Sequence, residues 1–428
     1  MLKNIELAVK KINDAEKPLR IISHFDTDGI TSAAIFSRAL QRSGKKFSLK
    51  IVKNLEEDFI KALPEDHILI FLDLGSGSLN YLKNKKTDVF IFDHHEIVDE
   101  IPENVLMINP FLDKGESLSA SAVCYLFAKA LSRQNMDLAT LAVVGMVGDL
   151  QEKNIGRIFS EILEESETTV KKGLLLYPST RPLDKALEYC SNPYIPGVTG
   201  SYSGVIGLLK DAGLAKVGHS YKALYELTEE EMTNLITAVM VRCAGKAEES
   251  IGNLFLVKFF NKLEDARELS ALINACSRMD FSNVSLGFCL GNKEFKQDAE
   301  KIYIGYKQSL VSALKYVADI EKIKGEEYVI IHGKDKIKDT IIGTVASIIS
   351  HSPSCSRGSV VIALAYNEDK IKVSARLAGS DGCNVREVLS QVVVPLGGEV
   401  GGHSAAAGCL ISREQESEFI AGLKKILK

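Results

Sequence analysis

Along the first 150 positions, short apolar runs alternate with stretches whose apolar residues recur at helical spacing. Residues 18–25 (PLRIISHF), 67–72 (HILIFL) and 88–92 (DVFIF) are nearly continuously apolar, as strands buried on both faces of a parallel sheet are. After the first run comes a polar turn, DTDG, and then residues 30–40, where Ile30, Ala33, Ala34 and Leu40 fall near a helical period. Further helices are expected at about 119–132 and 137–147. This alternation predicts a doubly wound α/β domain with a parallel sheet.

The pattern then changes. Residues 178–218 hold Pro178, Pro182, Pro193 and Pro196 among many Gly and Ser, which predicts an irregular connection. Residues 227–325 read as mostly helical, opened by a capping box of Thr228 and Glu231. A helix over 296–322 would span roughly 40 Å, enough to bridge two domains. From 328 onward β/α alternation returns: YVIIH, a helix at 341–349, GSVVIALAY, KIKVSAR, a helix near 385–392, and AAAGCLI. The expected organisation is a parallel-sheet α/β domain (1–177), a connector with a helical middle region (178–325) and a smaller α/β domain (326–428).

Composition narrows the class. The 428 residues are 46% hydrophobic and 25% charged, ordinary for globular chains and unlike disordered ones. Lys and Arg number 52 against 56 Asp and Glu, a net charge of −4, so contact with nucleic acid would need a local basic patch. Eight cysteines stand singly without a C-x-x-C pair, most among aliphatic residues, the pattern of reduced core thiols rather than a disulfide framework. No apolar run of membrane-spanning length and no signal-peptide core is present, and a cytoplasmic chain without membrane contact is expected.

The candidate chemistry sits at the strand ends. His24-Phe25-Asp26-Thr27-Asp28-Gly29, Asp73, Asp93-His94-His95 and Gly148-Asp149 form four clusters, three of them directly after a predicted strand. The carboxyl ends of parallel strands share one edge, so these groups would converge there. Taken singly, each has a structural explanation: D-x-D-G as a solvated turn, Asp73 as a helix N-cap, Gly148-Asp149 as a helix end. Gathered at one edge, they carry negative charge that bound cations would offset. Carboxylate and imidazole without thiolate suits Mn²⁺ or a similar dication. Asp26 and Asp28 could each face one of two ions, Asp73 could bridge them, and His94 and Asp149 could complete the coordination of the second ion.

The motifs HFDTDG, FLDLGSG, FDHHE and GMVGDLQ, in this order, resemble the four motifs of the DHH phosphoesterase superfamily. The archaeal RecJ-like exonucleases are the most similar branch, and PYIPGVTGS has a counterpart there. The resemblance implies a DHH catalytic domain in which Asp26, Asp28, Asp73, His94 and Asp149 bind two ions of Mn²⁺ or Mg²⁺. It implies that His95 contacts the scissile phosphate and that Asp93 orients its histidine neighbours. His24 is a further candidate ligand, although some branches place that histidine four residues before the first aspartate and here it lies two before.

The C-terminal stretch GGEVGGHSAAAG and the preceding Ser374-Ala375-Arg376 resemble the DHH-associated substrate domain. The resemblance implies that Gly401, Gly402, His403, Ser374 and Arg376 hold nucleotide phosphates. The structural alternatives are an ordinary glycine turn and a surface ion pair at Arg376. In the middle region Arg267, Asn274 and Arg278 fall at i, i+7 and i+11. They form a polar stripe that reads either as a track for a nucleic-acid backbone or as a solvated helix face. Tyr194 and Tyr202 are candidate base-stacking residues.

The expected activity is a metal-dependent exonuclease acting on single-stranded DNA or RNA. The rivals are a hydrolase of oligoribonucleotides or cyclic dinucleotides, disfavoured by the helical middle region, and a scaffold among replication or repair proteins, as in relatives that have lost metal ligands.

Overall fold

The computed structural model describes all residues except 114–115, 154, 191–192, 194, 244–249, 353–354, 380 and 428. Tyr194 therefore lies outside the described residues. The chain divides into two compact units, Met1–Tyr303 and Ile304–Lys428, and the division falls inside a long helix.

The first unit begins α1 (Leu2–Asp14), β1 (Leu19–His24), α2 (Thr27–Arg42), β2 (Phe47–Val52), α3 (Glu57–Lys61), β3 (Ile68–Leu72), α4 (Leu79–Leu82), β4 (Val89–Phe92) and β5 (Val105–Ile108). The five strands form one parallel sheet in the order β2-β1-β3-β4-β5. Every residue of β3 and β4 is buried, because helices cover both faces. On one face Phe90 and Phe92 meet α2, α5 (Ala120–Leu131) and α6 (Ala139–Gly148). There Phe36 and Phe127 stack 4.6 Å apart and Phe92 meets both edge-on. The opposite face packs Ile22, Leu69 and Phe71 against Ile60 of α3 and Leu79 and Leu82 of α4. Each such side chain contributes about 1.5–3 kcal/mol.

DTDG is not a free turn. Asp26 caps α2, its side chain accepting the Gly29 N–H at 3.0 Å, so the helix starts at Thr27. An Asp cap satisfies a donor that the first helical turn would otherwise leave open.

Two further expectations need correction. The stretch 178–218 contains α8 (Leu183–Glu188) and α9 (Tyr202–Asp211), which follow α7 (Arg157–Glu165) and β6 (Thr169–Leu174). Leu183, Leu187, Val205 and Leu208 build a separate core with Leu235 and Val239 of α10 (Glu229–Arg242). Pro182 stands at the N-cap of α8, where proline does no harm. The region 227–325 is interrupted by a hairpin, β7 (Ile251–Phe259) and β8 (Lys262–Asp265), completing the antiparallel order β6-β7-β8. Its turn places Phe260 and Asn261 at φ 49° and 59°, without the Asn-Gly signature that flags such turns. The capping box is present: Glu231 N–H donates to Thr228 Oγ1 at 3.2 Å and Thr228 N–H to Glu231 at 2.9 Å. α11 (Ala266–Arg278), α12 (Ser282–Cys289) and α13 (Lys293–Asp319) follow.

The second unit is a six-stranded mixed sheet of β9 (Ile323–Lys324), β10 (Tyr328–His332), β11 (Val360–Asn367), β12 (Lys370–Leu377), β13 (Val400–His403) and β14 (Ala406–Ser412). The order is β13-β14-β12-β11-β10-β9, with only β10 and β11 parallel. Helix α14 (Asp339–Ser350) packs on β11 and β12. α15 (Val385–Val393) and α16 (Glu416–Ile426) enclose a core with Val373, Ala375 and Leu377. The chain is thus α/β, with a parallel five-stranded sheet first, helices in the middle and a mixed sheet last. Among the described residues no helix is long and apolar enough to cross a membrane.

Candidate metal centre

The carboxyl ends of β1, β3 and β4 point toward one edge of the parallel sheet. His24 ends β1, Asp73 follows β3 directly, and Asp93-His94-His95 follow β4. Asp28 lies in the first turn of α2, where its carboxylate accepts the Ala120 and Ser121 N–H groups at 2.7 and 3.0 Å. These are orphan donors at the start of α5, and they hold the anion in place. Asp149 arrives as the C-cap of α6.

Three triads of ligand atoms result, each with its atoms within 4.8 Å of one another: His24, Asp26 and Asp73; Asp73, His94 and His95; Asp28, His94 and Asp149. Asp26 and Asp28 fall in different triads, and Asp73 and His94 each join two. His24 Nδ1 lies 3.1 Å from Asp26 and 3.3 Å from Asp73. His94 Nε2 lies 3.3 Å from Asp73 Oδ1 and 3.8 Å from Asp28, while its Nδ1 lies 3.5 Å from Asp149.

The electrostatics are those of a crowded anionic site. Burial, then the charges of Asp26 and Asp28, push the Asp73 carboxyl up to about 6. Burial and Asp28 push Asp149 up to about 7. Burial opposes the charged form of His94, yet Asp73, Asp28 and Asp149 outweigh it and raise the imidazole to about 10. His24 is likewise raised despite its burial, by Asp26 and Asp73. Asp26, which burial alone would raise, is held well below the usual carboxylate range by His24. The site draws in protons where positive charge is wanting.

Asp73 carries two further marks. Its φ is 59°, an uncommon left-handed backbone for a residue with a side chain. Its Oδ1 is buried and makes no well-aligned hydrogen bond among the described residues, with His94 Nε2 3.3 Å away. A buried carboxylate so weakly supplied with donors is costly inside a protein. The donor set of carboxylate oxygens and imidazole nitrogens without thiolate is one that Mn²⁺ or Mg²⁺ accepts. The residues therefore fit a divalent metal.

His95 faces outward beside this cluster, its side chain 46% exposed. Asp93 is fully buried and lies 2.7 Å from His95 Nδ1; it also accepts the N–H groups of His94 at 2.8 Å and Ser76 at 3.0 Å. Burial would raise Asp93, but His95 and His94 hold it far below its usual value. Burial works against the charged form of His95, and Asp93 raises its pKa nonetheless.

In the second unit, sheet register aligns the other candidates. Arg376 pairs with Ala406, which pairs with His403, and Ser374 pairs with Gly408, which pairs with Gly401. Residues in one row point to the same face, so Arg376 and His403 share a face at about two strand spacings, roughly 10 Å. Arg376 Nε donates to Ser347 of α14 at 2.9 Å, Ser374 is buried, and His403 is exposed. A Cβ at Gly343 would sit 3.3 Å from both Arg376 Nη2 and Ser374 Oγ, so that glycine leaves room beside them. Gly402 has φ 116°.

The polar stripe of α11 does not lie open to solvent. Arg267 pairs with Glu152 and stands 5.1 Å from the Tyr177 ring. Asn274 accepts the Thr27 N–H at 3.0 Å, and Arg278 is half-buried. Tyr202 is 48% exposed at the start of α9. Sequence reasoning passed over Gln151, whose Nε2 donates to Asp149 Oδ2 at 3.1 Å, and Asn109, which donates to the His95 carbonyl at 2.9 Å. Gln151 had a signal in the GDLQ motif; Asn109 had none.

Comparison with known proteins agrees with this architecture. Three family models match: the DHH family N-terminal domain over residues 18–146, the DHH-CID domain over 176–254 and the DHHA1 domain over 325–428. An uncharacterized protein of Methanocaldococcus jannaschii is 29% identical, with 100% of this chain covering 98% of that one. The single-stranded-DNA-specific exonuclease RecJ of Bacillus subtilis is 25% identical over 35% of this chain and 21% of its own length. Among solved structures, an exonuclease RecJ bound to manganese has a TM-score of 0.62 at 16% identity, covering 99% of this chain and 94% of that one. CDC45 of Entamoeba histolytica has a TM-score of 0.65 at 14% identity, covering 99% and 98%. With DHH, DHH-CID and DHHA1 segments in sequence and a RecJ-like fold, the chain belongs to the DHH superfamily of phosphoesterases.

Proposed function

We propose that this protein is a metal-dependent phosphodiesterase that removes nucleotides from an end of single-stranded DNA or RNA. The observation that carries the reading is the convergence of four carboxylates and three imidazoles in three overlapping triads, with the buried Asp73 shared by two of them. His24, Asp26 and Asp73 would hold one ion, and Asp28, His94 and Asp149 the other, with Asp73 also reaching toward His94. When bound, two dications there supply Lewis-acid stabilisation of the phosphoryl oxygens.

The remaining chemistry belongs to the side chains. Asp93 fixes the His95 ring through Nδ1, which leaves Nε2 to donate to a non-bridging phosphate oxygen. Asp93 raises the His95 pKa against the effect of burial, which favours the charged donor. In the second unit Arg376 and His403, in one row, would hold a phosphate, and Gly401 would let the backbone approach it. The B. subtilis relative, named as specific for single-stranded DNA, supports the choice of substrate. The likeness to CDC45 is one of fold; an occupied set of acids and imidazoles favours hydrolysis over a scaffold.

The test is hydrolysis of single-stranded DNA and RNA, labelled at each end in turn, with Mn²⁺ or Mg²⁺. Mononucleotides from a long single strand, lost with chelator, are expected. Cleavage of dinucleotides alone, or turnover unaffected by chelator, would overturn the reading.

A further inference from the structure

The carboxylates of the cluster come from segments far apart in the chain, and a helix outside the five-stranded sheet touches two of those segments. Helix α11 packs on both α2 and α6. Asn274 Oδ1 accepts the Thr27 N–H at 3.0 Å, at the residue between Asp26 and Asp28. One helical turn earlier, the Ser270 carbonyl accepts the Thr27 hydroxyl at 2.9 Å, and Ser270 Oγ donates back to Thr27 Oγ1 at 3.2 Å. Gly148 closes this contact: a Cβ there would lie 2.8 Å from Thr27 Cγ2 and 2.9 Å from Ser270 Oγ. Only a bare backbone lets α6 end, and Asp149 follow, this close to the D-T-D turn.

The other end of α11 reaches the Asp149 segment by a second route. Arg267 pairs with Glu152 and stands over the Tyr177 ring. Glu152 belongs to the short turn Gln151–Lys153, and Gln151 holds Asp149 Oδ2 at 3.1 Å. Arg267 and Asn274, at i and i+7, share one helix face. That face meets the turn carrying Asp26 and Asp28 at one end and the segment carrying Asp149 at the other.

We propose that α11 is a brace for the metal centre, with Asn274 and Arg267 as positioning residues that set the spacing of Asp26 and Asp28 against Asp149. Their polar groups are spent on the protein rather than on a nucleic-acid backbone. The proposal rests on the reading of the cluster as a metal centre. Residues that orient metal ligands typically change affinity or activity about 10–100-fold when removed.

Three measurements on the full chain test it, using Asn274→Ala and Asn274→Asp: calorimetric titration with Mn²⁺, amide exchange at Thr27 in the metal-free protein, and the kcat and KM for single-stranded DNA. Asn274→Ala should bind Mn²⁺ about 10–100-fold more weakly and exchange the Thr27 amide faster. Its kcat should fall while KM shifts by less than about twofold. Asn274→Asp keeps an acceptor of the same reach and should recover most of the affinity. Should Asn274→Ala fail to fold, Asn274→Ser and Arg267→Gln are measured in the same way, with the same weakening expected. Wild-type Mn²⁺ affinity in a folded variant, or a raised KM with metal affinity intact, would overturn the brace alone. A wild-type protein that binds no Mn²⁺ would overturn both the brace and the metal centre.

Discussion

His94 stands between Asp73 and Asp149, with Nε2 3.3 Å from one and Nδ1 3.5 Å from the other. One imidazole thus links the end of β3 to the end of α6, and both of its nitrogens face carboxylates. In the metal-free protein that arrangement favours a protonated ring, raised to about 10 against the opposing effect of burial.

A dication entering the site must displace that proton. The metal-bound state then holds fewer protons than the free state, so Mn²⁺ affinity should rise with pH between about 6 and 8. The slope is up to about tenfold per pH unit for each proton released. Calorimetry in buffers of different ionisation enthalpy should show protons leaving on binding. Affinity independent of pH would mean that no proton leaves His94 on binding.

Asp73→Asn removes the buried charge at the junction of two triads. Activity should fall by at least about a thousandfold. The metal-free variant should melt no lower than wild type, because the substitution relieves repulsion from Asp26 and Asp28. Wild type should gain melting temperature with Mn²⁺ and the variant should not. Wild-type turnover by Asp73→Asn would remove Asp73 from the site.

How much of this was legible beforehand differs by region. The apolar runs of β3 and β4 announce doubly covered strands, and the acids and imidazoles fall at their ends because a parallel sheet gathers those ends. The start of α2 was misjudged, since an Asp cap and a solvated turn use the same residues. The β7–β8 hairpin was invisible because Phe260 occupies a left-handed turn position that sequence assigns to Asn or Gly. Asn274 looked like a surface residue; only tertiary packing turns it onto the Thr27 N–H.

Gly401 and Gly402 separate substrate contact from strain. A Cβ at Gly402 would lie 2.3 Å from the Ala406 carbonyl, and its φ is 116°, whereas nothing lies within 4 Å at Gly401. Gly402→Ala should destabilise the protein by about 1–3 kcal/mol. Gly401→Ala should leave the melting temperature unchanged and raise KM. An unchanged KM in Gly401→Ala would take that backbone away from the substrate.

Arg376 and His403 share a row but lie roughly 10 Å apart, so without a shared ligand their substitutions should act independently. If both hold one bound strand, the effects of Arg376→Ala and His403→Ala on KM should be non-additive by more than about 0.5 kcal/mol in a double-mutant cycle. Strict additivity would separate them.

The central claim is best tested by anomalous scattering at the manganese edge from crystals soaked in Mn²⁺. Two peaks are expected, roughly 3.5–4 Å apart, one beside His24 and Asp26, the other beside Asp28, His94 and Asp149, with Asp73 at the junction. Peaks elsewhere, or none among these side chains, would contradict the account.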